Sequence, residues 1–276
     1  MIHLHDINIS DVLQGEKFQK LADNTTIFYR HTHNVNDFFK TIDFSHDFVL
    51  ISHNSDGKIT NIPGKTAAGH LLTNGKSPDA DVINIPKNLK KWYAQNVTYE
   101  SELIVPIPIG LENYYNFPRL NKINKLFSIR NIKKNIKNLV YLNCNINNNP
   151  KERQYVYDIL KETDYTTIVY GKNGINYDNY LYNLYNHCFM VCVPGNGPDV
   201  HSFWECLYAG TIPIQKKSIY NSNWRELPVC WLDNWEQLSD KEFLKNEYKR
   251  ISSCKYNFKK LTMNYWETLI NNHKYY

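Results

Sequence analysis

The residues best placed to do chemistry lie together, in Cys192-Val-Pro-Gly-Asn-Gly-Pro-Asp-Val-His-Ser-Phe-Trp-Glu-Cys-Leu-Tyr-Ala-Gly-Thr-Ile-Pro-Ile214. A buried strand there ends in a glycine-bearing turn, Gly195-Asn196-Gly197, and a helix follows. Glycines at such a junction let a ligand approach the backbone, and the helix N-terminus offers unpaired N–H groups and partial positive charge to a phosphate. Asp199 or Ser202 can serve as N-cap, and Ser202-x-x-Glu205 fits a capping box. His201 and Glu205, four residues apart, share one helix face. For a nucleotide-sugar ligand the set is coherent: turn and helix end take the diphosphate, Glu205 accepts from ribose hydroxyls, and His201 donates to phosphate. As bare pattern, a βα turn whose polar residues only cap a helix reads as well. A metal is not indicated, since no third ligand accompanies His201 and Glu205.

The elements that must position these residues alternate between strand-length apolar runs and amphipathic stretches, which predicts parallel α/β architecture. In the first part, strands are expected at 26–29 and 47–52, helices at 34–43 and 86–95, and a strand at 102–109. The helix at 86–95 is read from Pro86 at its first turn. In the second part, strands are expected at 139–143, 167–170, 189–193 and 212–214. Helices at 151–162, 176–186 and 199–209 complete a Rossmann-like run of βα units. A last helix, 257–271, places Phe258, Leu261, Tyr265 and Leu269 at helical spacing. The boundary is placed near Pro118, giving domains 1–118 (with the C-terminal helix 257–276) and 119–256.

The 192–214 stretch, with Leu227-Pro-Val-Cys-Trp-Leu-Asp-Asn-Trp235, resembles the nucleotide-sugar half of exostosin-like glycosyltransferases, especially small viral and microbial members. Lys91-Trp-Tyr-Ala-Gln-Asn96, Pro106-Ile-Pro-Ile-Gly-Leu-Glu-Asn113 and Tyr265-Trp266 resemble the same group. The resemblance implies a GT-B fold: two Rossmann-like domains facing a central cleft, with the C-terminal helix packing back on the N-terminal domain. It implies inverting transfer from a nucleoside-diphosphate sugar, expected to be UDP-linked, to a glycan hydroxyl without a metal or other cofactor. Gly195, Asn196, Gly197, Asp199, His201 and Glu205 become donor-site candidates. Ser202 stands where the group commonly has Arg, so the diphosphate charge would come from Lys216 or Lys217, or from Arg153. A fucosyltransferase-like enzyme using a GDP-sugar and a non-catalytic carbohydrate- or nucleotide-binding module are the rival readings.

Inverting transfer needs a base to take the acceptor proton. The loop His53-Asn54-Ser55-Asp56-Gly57, after the strand 47–52, offers Asp56, with His53 as partner or alternative. A plain turn has the same composition. Glu112 and Asn113 are expected to line the cleft, with His31 and His33 within reach. Asp79-Ala80-Asp81 is formally a DxD motif, but it precedes its apolar run instead of closing one, so it is rejected as a metal site.

Bulk properties narrow the classes. The chain has 276 residues, is 42% hydrophobic and 21% charged, and carries +5, which excludes wholesale disorder and a concentrated nucleic-acid footprint. Residues 113–151 hold eight basic and no acidic side chains, read as a solvated linker face or a guide for an anionic donor. Asn, Lys, Ile and Tyr are enriched as by codon bias, so single Asn, Lys or Tyr residues carry little weight. The six cysteines read as buried free thiols, and the sequons at Asn8, Asn24 and Asn96 as chance. With neither a signal-like N-terminus nor an apolar run near ~20 residues, the expectation is a soluble cytoplasmic protein.

Overall fold

The computed structural model describes residues 7–41, 45–60, 80–81, 85–113, 121–169 and 175–273. The expected boundary near Pro118 and Asp79 of the DxD motif lie outside them. Among the described residues the chain forms eight α-helices and two larger sheets.

The first sheet is all parallel, in the order β1 (Ile27–His31), β2 (Phe48–His53), β5 (Leu89–Ala94), β6 (Ile104–Pro106). A small parallel pair, β3 (Ile59–Thr60) with β4 (Ala80–Asp81), falls between β2 and β5 in sequence. Helices α1 (Gly15–Gln19) and α2 (Val35–Thr41) complete this half. The helix expected over 86–95 is instead β5. Local propensity favours a helix there, but β2 and β6 both pair with this segment, and Trp92, Tyr93 and Ala94 are buried in the sheet. Trp92 also donates through Nε1 to the Ser52 hydroxyl at 2.8 Å. Pairing and burial on a central strand outweigh propensity.

The second sheet, also parallel, runs β11 (Cys230–Leu232), β10 (Ile212–Lys216), β9 (His187–Val191), β7 (Asn138–Asn143), β8 (Thr166–Val169). Its helices are α4 (Pro150–Leu160), α5 (Tyr177–Tyr185), α6 (His201–Ala209) and α7 (Lys241–Ser253), with α3 (Lys122–Ser128) leading in. The chain enters at β7, moves outward to β8, then returns to build β9, β10 and β11 on the other side. The strand order therefore reverses between β7 and β9, the switch point where doubly wound sheets open a crevice at their carboxyl ends.

One apolar core joins the halves. It includes Tyr29, Val49, Ile51 and Tyr93 of the first sheet, Tyr141 and Met190 of the second, and Phe203, Trp204 and Leu207 of α6. Trp204 is enclosed by Phe203 and Trp224, with ring centroids at 5.0 and 5.3 Å. The Tyr208 hydroxyl accepts from the Leu13 N–H at 2.9 Å and donates to the Leu261 carbonyl at 2.6 Å, tying three distant segments together. Helix α8 (Met263–Asn271) packs on the first half, where Trp266 meets Phe18 and Tyr93 donates to the Leu269 carbonyl.

Part of the acid-free stretch is absorbed by the fold. Lys122 pairs with Glu112, Lys125 with Asp178, and Lys134 donates to the Gly210 carbonyl. All six cysteines are free thiols; Cys188, Cys192, Cys206 and Cys230 are buried, whereas Cys254 is exposed. Asn96 is buried, which leaves no room for a glycan at that sequon. Among the described residues no helix is long and apolar enough to cross a membrane.

Candidate functional site

The loops after the carboxyl ends of the two sheets meet at the turn 195–201. Asp199 is buried, and its carboxylate accepts from the Ile109 N–H at 2.7 Å and from Trp204 Nε1 at 3.0 Å. Burial pushes its pKa up to about 7, against the lowering effect of those donors. Asn96 receives the Asp199 N–H on its side-chain oxygen and donates to the Ser55 carbonyl at 3.1 Å. Gly197 sits in a tight place: a Cβ there would stand 2.9 Å from Asn96 Nδ2 and 3.1 Å from the Asp56 carbonyl oxygen, so one of them would have to shift. Close approach of protein to protein thus explains a glycine expected to admit a ligand.

Two cavities border this contact. The first, of about 260 Å³, opens at the switch point and is lined by Gly195, Gly197, Asn149, Glu152, Lys216 and Tyr220, with Lys58 and Thr98 from the first half. Lys216 pairs with Glu152 at 2.9 Å and lies over the Trp235 ring at 5.6 Å. Glu152 is partly buried, which raises its pKa, but donors from Trp235, Lys216 and Asn149 outweigh that and keep it low. Its Oε1 accepts from Lys216 and Trp235 and its Oε2 from Asn149, which leaves a lone-pair site on Oε2. The helix end bordering this cavity belongs to α4, through Asn149 and Glu152. Tyr220, also on this wall, is buried.

The second cavity, about 200 Å³, is lined by Asn54, Ser55, Asp56, Gln95, Ile109, Asn113 and His201. His201 Nδ1 lies 2.8 Å from the Gly110 carbonyl, which can only accept, so Nδ1 carries the proton and Nε2 is the basic nitrogen of the neutral ring. Asn54 and Asn96 occupy the left-handed region at φ 53° and 60°, turning the chain at the ends of β2 and β5. Asn113 donates to Asn54 Oδ1 at 3.0 Å, fixing the rim.

Several expected roles change. His53 is fully buried, stacked on Phe18 at 5.2 Å, and both ring nitrogens are engaged: Nδ1 accepts from Asn54 N–H and Nε2–H donates to the Pro108 carbonyl. Burial lowers its pKa to about 4, and it does not line the cavity, so the imidazole beside Asp56 is His201 instead. Arg153 is also buried, donating to the carbonyls of Asn145, Val193 and Pro194. It holds the glycine turn from beneath, 2.8 Å from where a Gly195 Cβ would sit, and is committed to that scaffold. The Gly195 N–H closes the turn onto the Gly197 carbonyl, so it is not offered to a phosphate. Lys217 turns away to Asp233, which leaves Lys216 as the cation of the three at the cavity.

The N-cap of α6 is Val200, without a side-chain cap; Asp199 is drawn off by Ile109 and Trp204, and no Ser202–Glu205 capping box forms. Ser202 lines neither cavity, nor does Asn196, whose buried Oδ1 has no partner among the described residues. Glu205 faces away from the glycine-turn cavity. It lines a small recess with Glu112, Asn113, Lys122 and Tyr177, and accepts from Tyr180 at 2.5 Å. Burial raises the Glu205 pKa against that hydrogen bond. His31 and His33 stack on each other at 5.7 Å and line neither cavity.

Lys58, Gln95, Glu152 and Tyr220 have no role in the sequence reading. Gln95 belongs to a segment taken there as helix, and Lys58 lies one residue past the loop singled out. Searched against family models the chain matches none, and it has no match among curated proteins.

Proposed function

We propose that the chain is a glycosyltransferase of GT-B architecture, moving a sugar from a nucleoside-diphosphate donor to a hydroxyl of a glycan. One observation carries this reading: a cationic cavity at the switch point of one parallel sheet adjoins a cavity holding a carboxylate and an imidazole from facing loops. Asp56 lines one and Gly197 the other, and a Cβ on Gly197 would stand 3.1 Å from the Asp56 carbonyl oxygen. A donor and an acceptor seated side by side would meet across that contact.

The donor diphosphate takes Lys216 and Lys58, with the N-terminus of α4 adding backbone N–H groups and positive potential. Glu152 is the carboxylate available to ribose hydroxyls in this cavity, the role first expected of Glu205. The acceptor lies beside Asp56 and His201. As its oxygen attacks the anomeric carbon, the hydroxyl proton passes to the Asp56 carboxylate or to His201 Nε2. The new C–O bond forms, the anomeric C–O bond to phosphate breaks, and the nucleoside diphosphate leaves with the electron pair. Electrostatic stabilisation of that leaving group supplies the main rate term.

Free nucleotide release, measured over a panel of UDP- and GDP-sugars with and without glycan acceptors, tests the proposal. Release stimulated by an acceptor supports it. No release from any donor removes it and leaves a binding module.

A further inference from the structure

Gln95 follows the last residue of β5, and its side chain is wholly buried, yet neither Nε2 nor Oε1 has a hydrogen-bond partner among the described residues. The residue lines the cavity beside Asp56. Its position is fixed by the backbone, because its own N–H donates to the Ser52 carbonyl at 3.0 Å and Asn96 turns the chain immediately after it. A buried amide with both ends unpaired is costly to a folded protein, and ligand hydroxyls at the cavity would complete it.

We propose that this cavity binds one neutral, polyhydroxylated ring and that the Gln95 amide reads two of its hydroxyls. A sugar hydroxyl both donates and accepts, so two adjacent hydroxyls can satisfy the carbonyl and the NH2 of one amide together. No lysine or arginine is among the described lining residues, and Asp56 places a carboxylate on the wall, so the cavity selects against an anionic ring. Its 200 Å³ equals roughly six to seven waters at ~30 Å³ each, the scale of a single pyranose. In identifying that ring as the acceptor, the inference rests on the transferase reading; as a binding site it stands on the cavity alone.

Titration of the full chain with the methyl glycosides of glucose, galactose and xylose, and with methyl glucuronide, followed by saturation-transfer NMR, tests it. At least one neutral glycoside binds the wild type, and methyl glucuronide binds more weakly than methyl glucoside. Gln95→Leu weakens the neutral ligand at least tenfold while its melting temperature holds or rises, since an unpaired buried amide is removed. Gln95→Glu, tested alongside for the case that the leucine variant does not fold, weakens it as well by placing a second carboxylate in the cavity. Equal affinity in a folded variant, tighter binding of the glucuronide, or no neutral glycoside bound at high millimolar concentration overturns the proposal. UDP and GDP titrated in parallel report on the other cavity, so failure of nucleotide binding is read separately from failure here.

Discussion

The carboxylate of Asp199 accepts the backbone N–H of Ile109 at 2.7 Å, across 90 residues of sequence. With Trp204 Nε1 on the same carboxylate, this one side chain joins the loop after β6 to the helix that follows the glycine turn. Removing it leaves two donors facing an apolar interior. Asp199→Ala should therefore cost ~2–4 kcal/mol in urea unfolding, the range for stranding buried donors of a charged acceptor. Amide exchange at Ile109 should accelerate with it. Unchanged stability would show that the halves do not depend on this bond.

Two buried groups should give stability opposite dependences on pH. Asp199 has its pKa raised from 3.8 to about 7. The folded state then holds a proton that the unfolded state releases, so this contribution is present below about pH 4 and is lost as pH rises to 7. His53 has its pKa lowered from 6.5 to about 4. Its contribution is present above pH 6.5 and is lost as pH falls toward 4. Each is on the order of 3–4 kcal/mol at its limit, so wild-type stability should vary little between about pH 4 and 7. Unfolding free energies should rise with pH in Asp199→Asn and fall with pH in His53→Gln. Profiles parallel to wild type in both variants would contradict the assignment.

Arg153 spends its guanidinium on three carbonyls, two of them in the approach to the glycine turn. Arg153→Met should destabilise by about 2–3 kcal/mol, and Arg153→Lys by nearly as much, because an ammonium cannot span those acceptors. Denaturant unfolding of the two variants checks this. A fully stable lysine variant would argue that charge alone is needed there.

Chemistry and binding should separate by cavity. Asp56→Asn and His201→Gln should leave nucleotide affinity near wild type. The variant that removes the base should lower acceptor-stimulated release by roughly 10²- to 10⁴-fold. Steady-state nucleotide release beside equilibrium binding provides the check. Glu205→Gln should leave nucleotide affinity unchanged as well, because Glu205 opens to the recess of Glu112 and Tyr177.

The second half was largely legible in the sequence because its strands are continuous apolar runs, such as Phe189-Met190-Val191, bounded by Gly195 and Gly210. The first half was less so, and β5 was misread: Asn-Leu-Lys-Lys-Trp-Tyr-Ala is a good local helix, and the β2 and β6 partners that make it a strand are remote in sequence. In the site, Gly195, Gly197 and Lys216 line one cavity, whereas His201, expected beside them, lines the other with Asp56. Asparagine is common in this chain, which hides Asn54 and Asn96, yet both take left-handed turns; Asn113, expected at the cleft, lines the second cavity and braces its rim. Asp199 and Arg153 looked like ligand residues because a motif shows residue types but not distant backbone partners.

The central claim is that the cavity of Gly195, Gly197 and Lys216 holds a nucleoside diphosphate. Isothermal titration of UDP, GDP and their sugars into wild type and Lys216→Ala tests it most directly. The account predicts saturable binding of at least one nucleotide to wild type, weakened about tenfold or more in the variant. Absence of binding to wild type, or equal affinity in the two proteins, would contradict it.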